Sequence, residues 1–137
     1  MKANELMVGD WVVFNPNVFI EDEYEERKPC WNTQIKSGED IDLASEGCFE
    51  PIPLTSAIMK ANSFSHDVIG CDCHGKWQKI IGIDAINVSD CGIEYKSIHN
   101  FSFTFRLQGI QLYYVHELQH ALRLCGFNEL ADNFKIE

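Results

Sequence analysis

The stretch His116-Glu117-Leu118-Gln119-His120 has the residue types and the spacing of a zinc-hydrolase motif. On a helix, two histidines four residues apart project from one face, so both imidazoles could bind one zinc ion. Glu117 would then act as the general base for a metal-bound water. One alternative prediction is therefore a small zinc-dependent hydrolase, a peptidase, that uses His116, Glu117 and His120.

A third zinc ligand is hard to find beside this motif. Catalytic zinc sites usually have three protein ligands, and no histidine follows His120 in the chain. Glu129 and Asp132 are the acidic candidates ahead of the last residue. The longer motif H-E-x-x-H-x-x-G-x-x-H also fails, because Arg123 occupies its glycine position and Gly126 its third histidine position.

Helical periodicity gives the motif a simpler interpretation. One sector of the helix gathers four polar side chains: His116, Gln119, His120 and Arg123. The cation of Arg123 would be an unfavourable neighbour for a bound metal. We therefore favour a solvent-facing polar stripe on an amphipathic helix. We assign no catalytic, cofactor-binding or metal-binding residue and expect no cofactor, with zinc as the alternative.

A second candidate metal site is Cys71-Asp72-Cys73-His74, with His66 five residues before it. Thiolate and imidazole ligands this close together could hold zinc or copper. Its spacing is not that of a standard zinc knuckle, and the flanking Gly70 and Gly75 favour a turn. None of the six cysteines forms a C-x-x-C pair, so we expect free thiols that pack as small hydrophobic groups.

Composition predicts an ordinary globular chain, which we interpret as a single domain over 1–137. Hydrophobic residues make up 45% of the sequence, and the formal net charge is −10. The acidic balance argues against a general nucleic-acid binder, whose affinity comes largely from lysine and arginine on phosphates. No apolar run approaches the roughly 20 residues of a membrane span, and the N-terminal residues lack a signal-peptide pattern. We expect a cytoplasmic protein.

Local patterns predict an α+β fold with a mainly antiparallel sheet. Apolar runs and alternation predict strands at 11–14, 18–20, 30–36, 76–83, 93–98, 101–107 and 110–113. The start Gly9-Asp10-Trp11 is similar to the first strand of SH3-like barrels, an analogy of fold alone. The acidic run 21–26 is expected to be a solvated loop, and 38–47 a polar stretch rich in turns. Phe101, Phe103 and Phe105 are expected in the core.

Two helices are expected to complete this fold. Thr55 occupies an N-cap position ahead of a short middle helix over 56–63. The C-terminal amphipathic helix spans 115–125 and ends at Gly126. Its apolar stripe, which includes Leu118 and Leu122, should pack on the sheet.

Three blocks of sequence are informative in their order along the chain. They are Met1-Lys2-Ala3-Asn4-Glu5-Leu6 with Val8-Gly9-Asp10-Trp11-Val12, then Glu50-Pro51-Ile52-Pro53-Leu54-Thr55, and finally Tyr114-Val115-His116-Glu117-Leu118-Gln119 with Leu122, Gly126, Glu129 and Leu130. In this order they resemble a family of small uncharacterised proteins of Bacteroides-type bacteria, their phages and mobile elements. Relatives often read His-Gln-Leu-Gln-Asn at the helix, which implies that the family retains neither Glu117 nor His120. The resemblance implies no activity, cofactor or catalytic residue.

These observations favour a non-enzymatic, cytoplasmic accessory or interaction protein of phage or mobile-element type. An acidic sheet surface would prefer a basic protein partner through complementary charge. No membrane partner is expected. The zinc hydrolase of His116, Glu117 and His120 is the alternative.

Overall fold

The computed structural model describes residues 1–66, 77–82, 84–89, 92–97 and 103–137. In these ranges two antiparallel sheets combine with short helices, which confirms the α+β class. The strands are β1 Trp11–Phe14, β2 Trp31–Gln34, β3 Phe49–Glu50, β4 Ser65–His66, β5 Trp77–Ile81, β6 Asp84–Ser89, β7 Gly92–Ser97 and β8 Phe103–Gln108. The first sheet has the strand order β2-β1-β3 and the second the order β4-β5-β6-β7-β8. The α-helices are α1 Gly38–Leu43, α2 Ser56–Ala61, α3 Val115–Leu124 and α4 Asn128–Asp132.

Strand β1 is the centre of the first sheet, and both of its faces are covered. Its β-branched and aromatic residues favour an extended backbone, and its side chains alternate between two hydrophobic clusters. Val12 and Phe14 pack in a small cluster with Ile35 of the chain after β2. Trp11 and Val13 pack against the main cluster, which contains helix α3. The strand therefore joins the two hydrophobic clusters of the protein.

Helix α3 packs its apolar stripe on the second sheet, as the sequence predicted. Leu118 and Leu122 are fully buried in the main cluster, together with Ile86, Val88 and Ile93. Ile86 and Val88 belong to β6, a strand that the sequence analysis did not identify. The residues from Ala85 to Val88 are all buried, so β6 lacks the polar-apolar alternation by which half-buried strands are recognised.

Three local predictions were wrong. The stretch 18–20 is not a returning strand, because Pro16–Phe19 forms a 3₁₀ turn in which the Asn15 side chain accepts the N–H of Asn17 at 3.0 Å. The stretch 38–47 contains helix α1, whose start is stabilised by Asp40 accepting two backbone N–H groups. The stretch 110–113 is not a strand. Instead, a short antiparallel bridge joins Pro53 and Tyr114.

Other local predictions were confirmed. The Thr55 side chain accepts the N–H of Ile58 at 3.2 Å and caps α2. The acidic run 21–26 is exposed along its whole length. The expectation for the three phenylalanines stays a prediction, because Phe101 lies outside the described residues and only the strand positions of Phe103 and Phe105 are described. Among the helices that the structure describes, none has the length and apolar character needed to cross a bilayer.

Candidate functional site

The polar face of helix α3 is buried, contrary to the solvent-facing stripe that we expected. Gln119 is fully buried and His116 is only 8% exposed. The side chains of His120 and Arg123 are 28% and 11% exposed. The expectation was wrong because helical periodicity shows which residues share a face but not what lies opposite. Here the chain around β1 covers the polar face.

Asp10 is the centre of the contacts on this face, and its side chain is inaccessible to solvent. Its Oδ1 accepts a hydrogen bond from Nη1 of Arg123 at 2.7 Å. Its Oδ2 lies 2.6 Å from Nε2 of His120 and accepts the N–H of Met7 at 2.8 Å. The sequence analysis used Asp10 only as part of the start of the first strand and missed this carboxylate.

The partners of Asp10 keep it charged despite its burial. Burial alone would raise the pKa of Asp10, since an ion is disfavoured away from water. The hydrogen bonds from His120 and Arg123 outweigh that effect and hold the pKa below its usual value. The ion pair with Arg123 therefore persists at neutral pH.

Gln119 extends the network to the backbone of three segments. Its Oε1 accepts the N–H of Trp11 at 2.9 Å. Its Nε2 donates to the carbonyl oxygens of Gly9 and Ala131, both at 2.8 Å. Trp11 in turn donates its indole N–H to the Phe134 carbonyl at 2.7 Å. One buried amide thus joins the first sheet, α3 and the C-terminal segment.

Gly9 permits this close approach. Its φ is +98°, a backbone conformation that side-chain-bearing residues rarely adopt. A Cβ atom at this position would lie 2.6 Å from Nη2 of Arg123 and 2.8 Å from Oδ1 of Asp132. A larger residue would therefore displace the guanidinium group that neutralises Asp10.

Glu117, the proposed general base of the zinc alternative, stabilises the start of its own helix. Its Oε1 accepts the N–H of Tyr114 at 2.9 Å and the N–H of Tyr113 at 3.0 Å. A carboxylate in the first turn satisfies N–H groups that have no partner within the helix and also interacts favourably with the helix dipole. These contacts give Glu117 a structural role at the start of α3.

His116 is the one described side chain with a buried nitrogen that lacks a hydrogen-bond partner, its Nδ1. The ring stacks on Tyr114 with 6.0 Å between centroids, and it lies edge-on to His120 at 5.7 Å. Burial lowers the pKa of His116, so the ring is neutral near pH 7. His116 therefore packs as a neutral ring beside the charged network.

The described contacts give the zinc interpretation no support. Of the candidate third ligands, Asp132 accepts from Nη2 of Arg123 at 3.3 Å, and Glu129 is exposed to solvent. Within the described ranges no three His, Cys, Asp or Glu side chains are grouped to hold a metal ion. The second candidate, Cys71-Asp72-Cys73-His74, lies outside those ranges. The described cysteines, Cys30, Cys48 and Cys125, are free thiols.

A separate surface of the first sheet carries exposed aromatic side chains. The Phe14 ring lies 4.8 Å from Trp31, 6.1 Å from Phe19 and 5.8 Å from Phe49 between centroids. Trp31 is 49% exposed and Phe19 46%. A cavity of about 230 Å³ lies between this sheet face and α1, where Leu43 and Asp40 form its other wall. We call this feature the aromatic groove.

Negative charge is concentrated in the part of the chain that forms the aromatic groove. Residues 1–50 contain 12 acidic and 4 basic side chains, a formal net charge of −8, whereas residues 51–137 contain 9 and 7. Five of the acidic residues belong to the exposed run 21–26, which starts two residues after Phe19. Asn17 closes this loop by accepting the N–H of Lys28 and donating to its carbonyl, both at 2.8 Å. These two bonds hold the ends of the acidic loop together, and those ends lie within three residues of Phe19 and Trp31 in the chain.

Replacing Asp10 should destabilise the protein strongly. In Asp10→Asn, Arg123 and His120 lose their buried carboxylate partner, which typically costs about 3–5 kcal/mol. In the control Asp132→Asn, the side chain is 57% exposed, and the loss should stay below about 1 kcal/mol. Urea denaturation at pH 7 measures both. Because the folded state lowers the pKa of Asp10, its contribution should persist down to about pH 4 and fade below it. Equal losses in the two variants would contradict this account.

His116→Phe should keep or increase stability and should change its pH dependence. Phenylalanine preserves the stacking on Tyr114 and removes an unpaired buried nitrogen, whose burial typically costs about 1–3 kcal/mol. The lowered pKa of His116 means that the unfolded chain binds the proton more tightly, so wild-type stability falls as the pH drops through about 6.5. In denaturation experiments, the free energy of unfolding of the variant should therefore rise relative to that of the wild type as the pH falls from 7.5 to 5.5. A constant difference over that range would refute the prediction.

Glu117→Ala should lower the free energy of unfolding by about 1 kcal/mol, the usual cost of losing a helix cap. Glu117→Gln keeps an acceptor oxygen for the N–H groups of Tyr113 and Tyr114 and should lose less. Chemical denaturation of the two variants gives the comparison. If neither substitution affected stability, the capping role would be wrong and a chemical role for the carboxylate would gain weight.

Comparison with known proteins gives no independent guide to this site. The chain matched no protein-family model, no curated protein sequence and no solved structure. A functional conclusion must therefore come from the contacts, the burial and the charges of the residues themselves.

Proposed function

We propose that this chain is a non-enzymatic interaction protein that binds a basic segment of a partner protein in the aromatic groove. The observation that carries the proposal is the coincidence of exposed aromatic rings with the acidic part of the chain. Trp31 and Phe19 are each about half exposed, and the five acidic residues of 21–26 lie next to Phe19 in the chain. Contiguous exposed apolar surface with a polar rim is typical of protein interaction sites.

Aromatic side chains and charge would have different roles in such a complex. Tryptophan and other aromatic residues supply much of the binding free energy at protein interfaces. A negative surface accelerates the approach of a positive partner and disfavours an acidic one. The same charge disfavours the binding of nucleic acid, because a region with a net charge of −8 would repel its phosphates.

A protein segment suits the dimensions of the aromatic groove better than a free small molecule. Pockets for drug-sized ligands usually measure about 300–1,000 Å³ and enclose most of the ligand. The groove offers about 230 Å³ on one face of a sheet. Side chains of a longer segment could fill it while the rest of that segment lies along the surface. The free thiols of the three described cysteines are compatible with a reducing compartment, and we include the cytoplasm in the proposal.

Defined peptides test this proposal. The ¹⁵N-labelled protein is titrated in 0.15 M salt with three synthetic twelve-residue peptides. The first alternates Lys or Arg with Leu or Phe, the second replaces each basic residue with Glu, and the third replaces each apolar residue with Gly or Ser. We expect chemical-shift changes around Trp31 and Phe19 with the first peptide only, because it alone matches both the charge and the aromatic surface.

Substitutions provide the matched controls for the titration. Trp31→Ala should weaken binding of the first peptide at least about tenfold, since truncating an aromatic anchor typically costs more than about 1.4 kcal/mol. Leu124→Ala removes a comparably exposed apolar side chain from α3, at 64% exposure, and should leave the affinity unchanged. If Trp31→Ala left binding unchanged, or if the third peptide bound as strongly as the first, the groove would not be the site.

A further inference from the structure

Strand β2 has an outer edge that no described strand covers. It is the terminal strand in the order β2-β1-β3. The N–H of Ile35 donates to the carbonyl of Asp10 at 2.8 Å, so the backbone polar groups of Ile35 point toward β1. Because this direction alternates along an antiparallel strand, the backbone N–H and C=O groups of Thr33 and Trp31 also point toward β1. The N–H and C=O groups of Asn32 and Gln34 therefore point away from the sheet.

The same strand forms one wall of the aromatic groove. Residues two apart on a strand share a face, and Trp31, Thr33 and Ile35 line the cavity together with the neighbouring Gln34 and Lys36. A new strand alongside β2 would continue the sheet by one strand. Every second side chain of that strand would then lie on the groove side, next to Trp31.

The edge strand itself contains no charged residue, proline or bulge that would prevent strand pairing. Proteins protect exposed edges with charged residues, proline or bulges, but β2 reads Trp31-Asn32-Thr33-Gln34 and pairs regularly with β1. Pro29 and Lys36 flank the strand without interrupting it. Pairing of two copies is disfavoured by the net charge of −8 in residues 1–50. A positively charged segment from another protein has no such obstacle.

We infer that the basic segment binds by adding a β-strand to the outer edge of β2. This inference rests on the proposed function and specifies how the partner is recognised. The backbone of the partner pairs with Asn32 and Gln34, one of its apolar side chains enters the aromatic groove, and its Lys or Arg residues are attracted by the net charge of −8 on residues 1–50. Main-chain hydrogen bonds would supply affinity, and the groove would select the side chain.

Hydrogen exchange with the first peptide gives the direct test. At saturation, the amide protons of Asn32 and Gln34 should exchange at least about tenfold more slowly, while the amide of Thr33, which already faces β1, should change little. Two peptide versions carry N-methyl groups on alternate backbone nitrogens, in the two possible phases. In one version the methyl groups occupy the nitrogens that would pair with β2, and this peptide should bind at least about tenfold more weakly. In the other version the methylated nitrogens point away from β2, and this peptide should bind normally.

A substitution on the protein side complements the peptides. Asn32→Pro removes an outward-facing N–H at an edge position, where proline is tolerated, and should weaken binding. Asn32→Ala keeps that N–H and should bind as the wild type does. If Asn32→Pro fails to fold, the exchange data and the methylated peptides still decide.

The outcomes separate this inference from the proposed function. Binding that requires Trp31 but leaves the exchange of Asn32 and Gln34 unchanged would overturn strand addition and leave the interaction role standing. Absence of binding by the first peptide would overturn both. Protection of the same two amides in the protein alone, together with a dimer in sedimentation, would replace the basic partner with a second copy of the chain.

Discussion

The buried carboxylate of Asp10 is the constraint on which the arrangement of the two sheets depends. An ion without access to water must be neutralised in place, and the cation that neutralises it comes from α3. The position of the first sheet relative to that helix is thereby fixed by direction-specific contacts, whereas hydrophobic packing alone would tolerate sliding. Gln119 strengthens the same junction, because its amide can satisfy Trp11, Gly9 and Ala131 in only one arrangement.

The same junction gives every residue of the motif His116-Glu117-Leu118-Gln119-His120 a structural partner. A helix that packs against two neighbours uses both of its faces, so the residues of one motif can have different partners. In this protein Glu117 stabilises the helix start, His120 contacts Asp10 and His116 fills space beside Tyr114. Three residues that could act together in zinc chemistry have three separate structural contacts.

The sequence predicted those elements whose signal is local. Trp11–Phe14 was identifiable as a strand from its side chains, the start of α2 from the capping side chain of Thr55, and α3 from the periodicity of Leu118 and Leu122. Long-range partnership has no comparable signal, because nothing near Asp10 in the sequence indicates an arginine more than a hundred residues away. Strand β6 was missed for a related reason, since both of its faces are buried and its pattern reflects neighbours that are distant in the chain. The exposed edge of β2 could not be predicted from the sequence either, because it depends on the order of the strands in the sheet.

The separation of these contacts along the chain has a consequence for how the protein is made. Trp11 and Gln119 are 108 residues apart, and Asp10 and Arg123 are 113 apart. During synthesis at a ribosome, the first sheet emerges long before the helix that completes it, and closing so large a loop is entropically slow. The nascent N-terminal half must therefore wait with an unneutralised aspartate and an uncovered strand face. Its assembly can only follow the emergence of α3 from the ribosome, and until then chaperones would meet it with this face uncovered.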